Sequence, residues 1–444
     1  MHDDLRSAVD DLFPSLQNTL ETLVRIPSIS APGFDSSEVR RSAEVVASLL
    51  SEAGFQDVRL LEVEGAHPAV FAEIPAPEGA PTVLLYAHHD VQPVGNLSDW
   101  DRDPFEPVEL DGRLLGRGSS DDKAGIDVHL GAVMVHGGRP PVGVKVIVEG
   151  EEEVGSTHLG DFLAGYRDQL EADVIVIADS GNWRIGQPAL TTSLRGLVDC
   201  TVEVRTLRYA IHSGQFGGVI PDALTVLSRL LATLHDGDGN VAIPGLVVSE
   251  SDDLDLTEAE LREQADTVTG LELIGSGSLT SRMWTQPAIA VLAIDAPPVS
   301  DAVNALVPAA RAKVSLRIAP GDSPERAMST LVAHLEQHVE WGAEVIVTPG
   351  ATGDAFALET TGRTTDAFRT AFEEAWGREP VDMGVGGSIP FVAAFSEAYP
   401  EATILLTGVA DPTSRAHGPN ESVELDDVKK GTLAEAIALR LLAP

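Results

Sequence analysis

The sequence is short of cysteine, of positive charge and of long apolar runs. Cys200 is the only cysteine among 444 residues, which excludes an intrachain disulfide framework. It lies in the alternating stretch Leu197-Val198-Asp199-Cys200-Thr201-Val202, where a packed thiol is expected. Lys and Arg number 30 against 69 Asp and Glu, for a formal charge of −39. Nucleic acids and anionic membranes are bound through Lys and Arg, so neither is an expected partner; the acidity reads as a solvated surface or as adaptation to high salt. No stretch approaches the roughly twenty apolar residues of a membrane span. The opening Met1-His2-Asp3-Asp4-Leu5-Arg6 is acidic where a secretory leader is basic and then apolar, and a cytoplasmic protein is expected.

What is present is a chain long enough for two domains, with 43% hydrophobic residues. Its least ordinary stretch is Val146-Ile147-Val148-Glu149-Gly150-Glu151-Glu152-Glu153-Val154-Gly155-Ser156, a strand-like apolar run that ends in consecutive carboxylates. Such charges at the end of a buried strand repel one another and call for a compensating cation. Other apolar runs end in the same manner. Thr82–Ala87 stops at His88-His89-Asp90, Asp173–Ala178 stops at Asp179, and Thr403–Thr407 leads into a loop that carries His417. In open α/β sheets, ligands bind outside the carboxyl ends of the strands. Four such runs therefore point to one shared crevice whose His, Asp and Glu side chains suit Zn²⁺ or a similar divalent ion.

From Leu194 the pattern changes to strand (to Val204), helix (223–234), strands (288–294 and 312–318), helix (324–339) and strand (344–347). That βαββαβ order is ferredoxin-like. The expected architecture is an α/β catalytic domain, with a mixed, largely parallel sheet flanked by helices, formed by residues 1–193 and 354–444. An α+β lid or dimerisation domain, 194–353, is inserted into it.

Several segments carry a resemblance to a known family: Tyr86-Ala87-His88-His89-Asp90-Val91-Gln92-Pro93, Gly116-Arg117-Gly118-Ser119-Ser120-Asp121-Asp122-Lys123, Glu149–Ser156, Ile211-His212-Ser213-Gly214-Gln215-Phe216-Gly217-Gly218 and Gly386-Gly387-Ser388-Ile389-Pro390. In order and spacing, over essentially the whole chain, they resemble the co-catalytic zinc aminoacylase and dipeptidase family, and within it the carnosinase-like dipeptidases. The resemblance implies two Zn²⁺ per subunit, with Mn²⁺ or Co²⁺ as possible substitutes. Asp121 would bridge them, His88 and Asp179 completing one position, Glu153 and His417 the other. Asp90 would hold the far nitrogen of His88, and the Asp121–Asp122 peptide would be cis.

The resemblance further implies that Glu152 is the general base and that His212 serves the oxyanion of the other subunit in a homodimer. Arg317 would bind a substrate carboxylate, with Asn304, Gly387 and Ser388 adding hydrogen bonds. An exposed strand arginine is the plainer reading of Arg317, and Tyr209-Ala210 stands where carnosinase-like enzymes usually carry an acidic residue. His89 reads as a spacer, Asp122 as structural, Glu151 as solvated or supporting its neighbours, and Trp100 as packing. The implied activity is hydrolysis of dipeptides or similar short amides with a free C-terminal carboxylate. The alternative on the same scaffold is an N-acyl amino acid deacylase.

Overall fold

The computed structural model describes residues 2–358, 360–387 and 390–444. The chain forms two compact units, one of residues 1–192, 358–383 and 390–444, the other of 193–357 and 384–389.

The first unit is built on a mixed sheet. Thr82–His88 lies between Gly143–Glu149 and Val174–Ile177 and is parallel to both. Thr403–Leu406 extends the parallel set beside Val174–Ile177, while Ala69–Ile74 runs antiparallel on the other side of Gly143–Glu149. The central strands are unbroken apolar sequence because both of their faces are covered. Val83, Leu84, Leu85, Tyr86 and Ala87 are all fully buried. Helices Asp3–Val24, Ser36–Glu52, Lys123–Met134, Arg363–Trp376 and Leu425–Leu442 supply the packing partners. Helix Lys123–Met134 has almost no polar face: residues 123–133 are all buried, as expected of a helix sandwiched between a sheet and other helices. Tyr86 stacks on Phe391 with ring centroids 4.6 Å apart.

In the second unit, Gly196–Arg205, Ala288–Asp295, Ala309–Ile318 and Glu344–Gly353 form an antiparallel sheet. Numbered along the chain, the spatial order is 2-3-1-4, which is the ferredoxin-like arrangement. Helices Ala223–Ala232 and Pro324–His338 cover one face, and Val198, Cys200, Val202 and Val204 alternate inward to meet them. Residues 384–387, placed in the catalytic domain on sequence, cluster with this unit instead. The Gly384 backbone lies so close to Trp284 that a Cβ there would meet its side chain at 2.4 Å, and Arg195 Nε donates to the Gly386 carbonyl at 3.2 Å. Among the described residues no helix is long and apolar enough to cross a membrane.

Candidate metal centre

The site grows out of the parallel register. Tyr86 pairs with Ile177 and Ala87 with Val148, so three neighbouring strands end on one edge. His88 is the last residue of its strand, and Asp179 lies two residues beyond the Val174–Ile177 strand. His88 Nε2 is 4.0 Å from Asp179 Oδ1. Asp121 enters from the loop before helix Lys123–Met134, through a cis Asp121–Asp122 peptide. Its Oδ1 is 2.9 Å from His88 Nε2, and its Oδ2 is 2.9 Å from His417 Nε2. One carboxylate thus faces two imidazoles through separate oxygens, the disposition a bridging ligand needs. His417 Nε2 also lies 3.1 Å from Glu153 Oε2.

Two sets of side chains place ligand atoms within 4.8 Å of one another: His88, Glu152 and Asp179, and His88, Asp121 and Glu153. Four carboxylates and two imidazoles offer only oxygen and nitrogen donors, a fit to one or two divalent ions. The electrostatics agree with that fit. Burial raises Glu152 to about 9; the charge of His88 opposes this, while those of Asp179 and Glu153 add to it. Burial likewise lifts Asp179 to about 7, against His88 and with the charge of Asp121. Hydrogen bonds to Asp121 and Glu153 push His417 up to about 10. Despite its burial, Asp121 is held low by hydrogen bonds from His417 and His88. The carboxylates outnumber the imidazoles that neutralise them, and cationic charge placed among them would relieve the excess.

Asp90 does more than the resemblance implies, and differently. His88 Nδ1 lies 3.1 Å from the Asp90 backbone carbonyl and 3.4 Å from its carboxylate. The carboxylate itself accepts from Ser30 Oγ at 2.6 Å and from the amides of Glu152 and Glu153 at 3.2 and 3.1 Å. It therefore braces the acidic turn as much as the imidazole. Glu151 is not solvated: it is buried and accepts from the His67 amide and from both the amide and Nδ1 of His158, so it faces away from the cluster. His89, also buried, meets the Pro68 carbonyl at 3.0 Å.

Further residues support the cluster, Gln92 and Glu421 without a role in the sequence reading, Asp122 and Trp100 read there as structural and as packing. Gln92 donates its amide to Glu153 Oε1 and its side-chain Nε2 to the Glu153 carbonyl, both at 3.0 Å. Asp122 accepts the His88 amide at 3.2 Å. Glu421 accepts the amides of Ser120 and Asp121. Trp100 lies 5.3 Å from the Arg117 guanidinium. Residue type alone would not have marked Gln92 or Glu421.

The remaining predicted residues lie in the second unit. His212 is exposed, and its Nδ1 accepts the Gly214 amide at 3.1 Å. The His212 position pairs with Ala305, and Ser213 donates to the Asn304 carbonyl, so His212 and Asn304 are neighbours. Arg317 stands half-buried opposite Leu197 and Ala288. Burial and then the charge of Arg317 lower Arg195 to about 10, and Arg195 itself lies against Gly386. Ser388 lies outside the described residues.

Residues 84–440 match the model of peptidase family M20/M25/M40. A cysteinylglycine-S-conjugate dipeptidase of Corynebacterium striatum is 34% identical over 402 residues, 89% of this chain and 88% of that protein. A β-Ala-His dipeptidase of Rattus norvegicus is 28% identical over 378 residues, 80% of this chain and 76% of the other. The solved structure of the di-peptidase Dug1p from Saccharomyces cerevisiae shares the fold, with a TM-score of 0.80 at 23% identity, covering 99% of this chain and 98% of that one.

Proposed function

The chain belongs to peptidase family M20/M25/M40, and on that premise we propose that it is a two-metal dipeptidase acting on dipeptides or similar short amides with a free C-terminal carboxylate. The observation that carries this reading is Asp121, whose two oxygens face His88 and His417 at 2.9 Å each. His88, Asp121 and Asp179 would hold one ion, and Asp121, Glu153 and His417 the other; the mixed histidine and carboxylate set favours zinc. A bound pair of such ions supplies Lewis acidity toward a carbonyl and lowers the pKa of water.

The chain's own residues supply the rest. Glu152 takes a proton from the attacking water and delivers it to the leaving amine. It sits beside Glu153 on a turn whose amides Asp90 holds, so base and ligand diverge from one braced backbone. Arg317 pairs with the substrate carboxylate through its planar fork, while Asn304, Gly387 and Ser388 donate further hydrogen bonds. His212 stabilises the oxyanion across a homodimer, each site being completed by the partner subunit's His212. The enzyme would work in the cytoplasm. The dipeptidase names of the relatives support the substrate class.

The test is a panel of free dipeptides, their C-terminally amidated forms and N-acetyl and N-succinyl amino acids, each assayed with zinc, manganese and cobalt. Free dipeptides should be turned over fastest, and amidation should cost most of kcat/KM. Preference for the N-acyl amino acids would replace the dipeptidase reading with the deacylase one.

A further inference from the structure

Glu421 is fully buried and lies four residues after His417. Its two carboxylate oxygens have separate tasks. Oε1 accepts from the Ser120 amide and hydroxyl at 3.0 Å each, and from the Asp121 amide at 3.2 Å. Oε2 accepts from Arg117 Nη1 at 2.5 Å. Arg117 is 1% exposed, and its Nη2 reaches the Pro93 carbonyl at 3.4 Å. The pair therefore ties three loops together: the one that delivers Asp121, the one that delivers His417, and the one in which Gln92 holds Glu153.

The His417 loop needs such an anchor. Arg415, His417 and Asn420 all adopt left-handed backbone, with φ of 56, 63 and 60°. Residues with a Cβ keep that conformation only where the surroundings over-determine it. Asn420 is tied to Asp101 through its side chain in both directions, and Glu421, the next residue, anchors the same end of the segment to Arg117, Ser120 and Asp121.

We propose that Glu421, with Arg117, is a positioning pair that sets the distance between the Asp121 and His417 loops and so controls the affinity of the Asp121–Glu153–His417 metal position. This rests on the two-metal reading above. Glu421 touches neither metal nor substrate; it acts through the Asp121 amide and the short segment leading back to His417. The role needs a carboxylate. A glutamine has one accepting oxygen, so its NH₂ must face either the buried guanidinium or the Ser120 and Asp121 amides, donor against donor in both cases.

The experiment uses the full chain, stripped of metal and titrated with zinc in competition with a chromophoric chelator, which yields two dissociation constants. In Glu421→Gln one of the two binding steps should weaken by about 10- to 100-fold, the usual effect of removing an outer hydrogen-bond partner of a ligand. The other step should change by less than about threefold, and raising zinc should restore turnover. Should Glu421→Gln fail to fold, Arg117→Lys keeps the charge but loses the planar fork, and is expected to weaken the same step by a smaller factor. Unchanged constants in a folded variant would overturn the proposal. So would equal weakening of both steps, or turnover that stays low at saturating zinc. Wild-type protein that binds fewer than two zinc ions would overturn the two-metal reading itself, and this shows before any variant is made.

Discussion

The two halves of the candidate metal centre are held by different means. His88 and Asp179 leave neighbouring parallel strands, and their placement follows from strand register and a fully packed core. Asp121, Glu153 and His417 leave loops, and each depends on dedicated polar side chains. Glu421 holds the Asp121 amide, Asp90 and Gln92 hold the Glu153 backbone, and Gln92 also meets the Glu153 carboxylate. A sheet fixes geometry through many small contacts, each of them replaceable. A loop does so through a few hydrogen bonds, and losing one is felt at the ligand it supports.

Glu152 tests where the border between these halves lies, because it groups with His88 and Asp179 within 4.8 Å. If it is the base, Glu152→Gln should lower kcat by about 10²- to 10⁴-fold, while elemental analysis still finds two metal ions per chain. Loss of one ion would instead make Glu152 a third ligand of the sheet-borne half.

The two imidazoles differ in what their removal should cost. In metal-free protein, His88→Ala removes one partner from each of Asp121 and Asp90 at a fully buried position, and should destabilise by about 3–5 kcal/mol. The His417 side chain is 56% exposed, so water replaces it, and His417→Ala should cost less than about 1 kcal/mol. Urea unfolding in the presence of a chelator measures both. Equal costs would break the contrast between sheet and loop.

Beneath the sheet-borne half lies Glu149, which accepts from Tyr86 Oη at 2.6 Å. Burial raises it from 4.5 to about 7, against the Tyr86 hydrogen bond and with the charge of Asp90. The folded chain therefore keeps this proton where the unfolded chain has released it. Stability falls as pH rises through the window from about 4.5 to 7, by up to about 3 kcal/mol in all. Glu149→Gln in metal-free protein removes that slope. It should raise stability at pH 8 by up to about 3 kcal/mol relative to wild type, and leave it unchanged at pH 4. The same difference at both pH values would show that Glu149 ionises freely in the folded state.

The division also accounts for what could be read before any coordinates. Strand ends were legible, since an apolar run that stops at His88 or Asp179 shows both the element and its exit. The helices differ from expectation by a few residues at their ends, and the 2-3-1-4 sheet follows from element order alone. Supporting residues were not legible in this way. Glu421 follows His417 by four positions, but its partners Arg117, Ser120 and Asp121 lie some three hundred residues earlier, and only the fold brings them together. Glu151 looks like its neighbours in sequence, yet the turn points it at His158 and away from the cluster. The segment 384–387 follows Arg195 and Trp284, a long-range contact without a local signal.

Gln92 offers the finest test. Its backbone amide and its side chain both reach Glu153, so Gln92→Ala removes one hydrogen bond and leaves the other. A single neutral hydrogen bond is worth about 1 kcal/mol, which corresponds to a loss of about fivefold in the zinc constant that Glu421→Gln also weakens. Gln92→Asn, too short to reach the Glu153 carbonyl, should match the alanine variant, because what matters is reach rather than polarity. The other constant should not move in either protein, since no atom of Gln92 touches a residue of the sheet-borne half through any described hydrogen bond. If both constants weakened together, the loop that holds Glu153 would also be setting His88 and Asp179, and the two halves would be one mechanical unit.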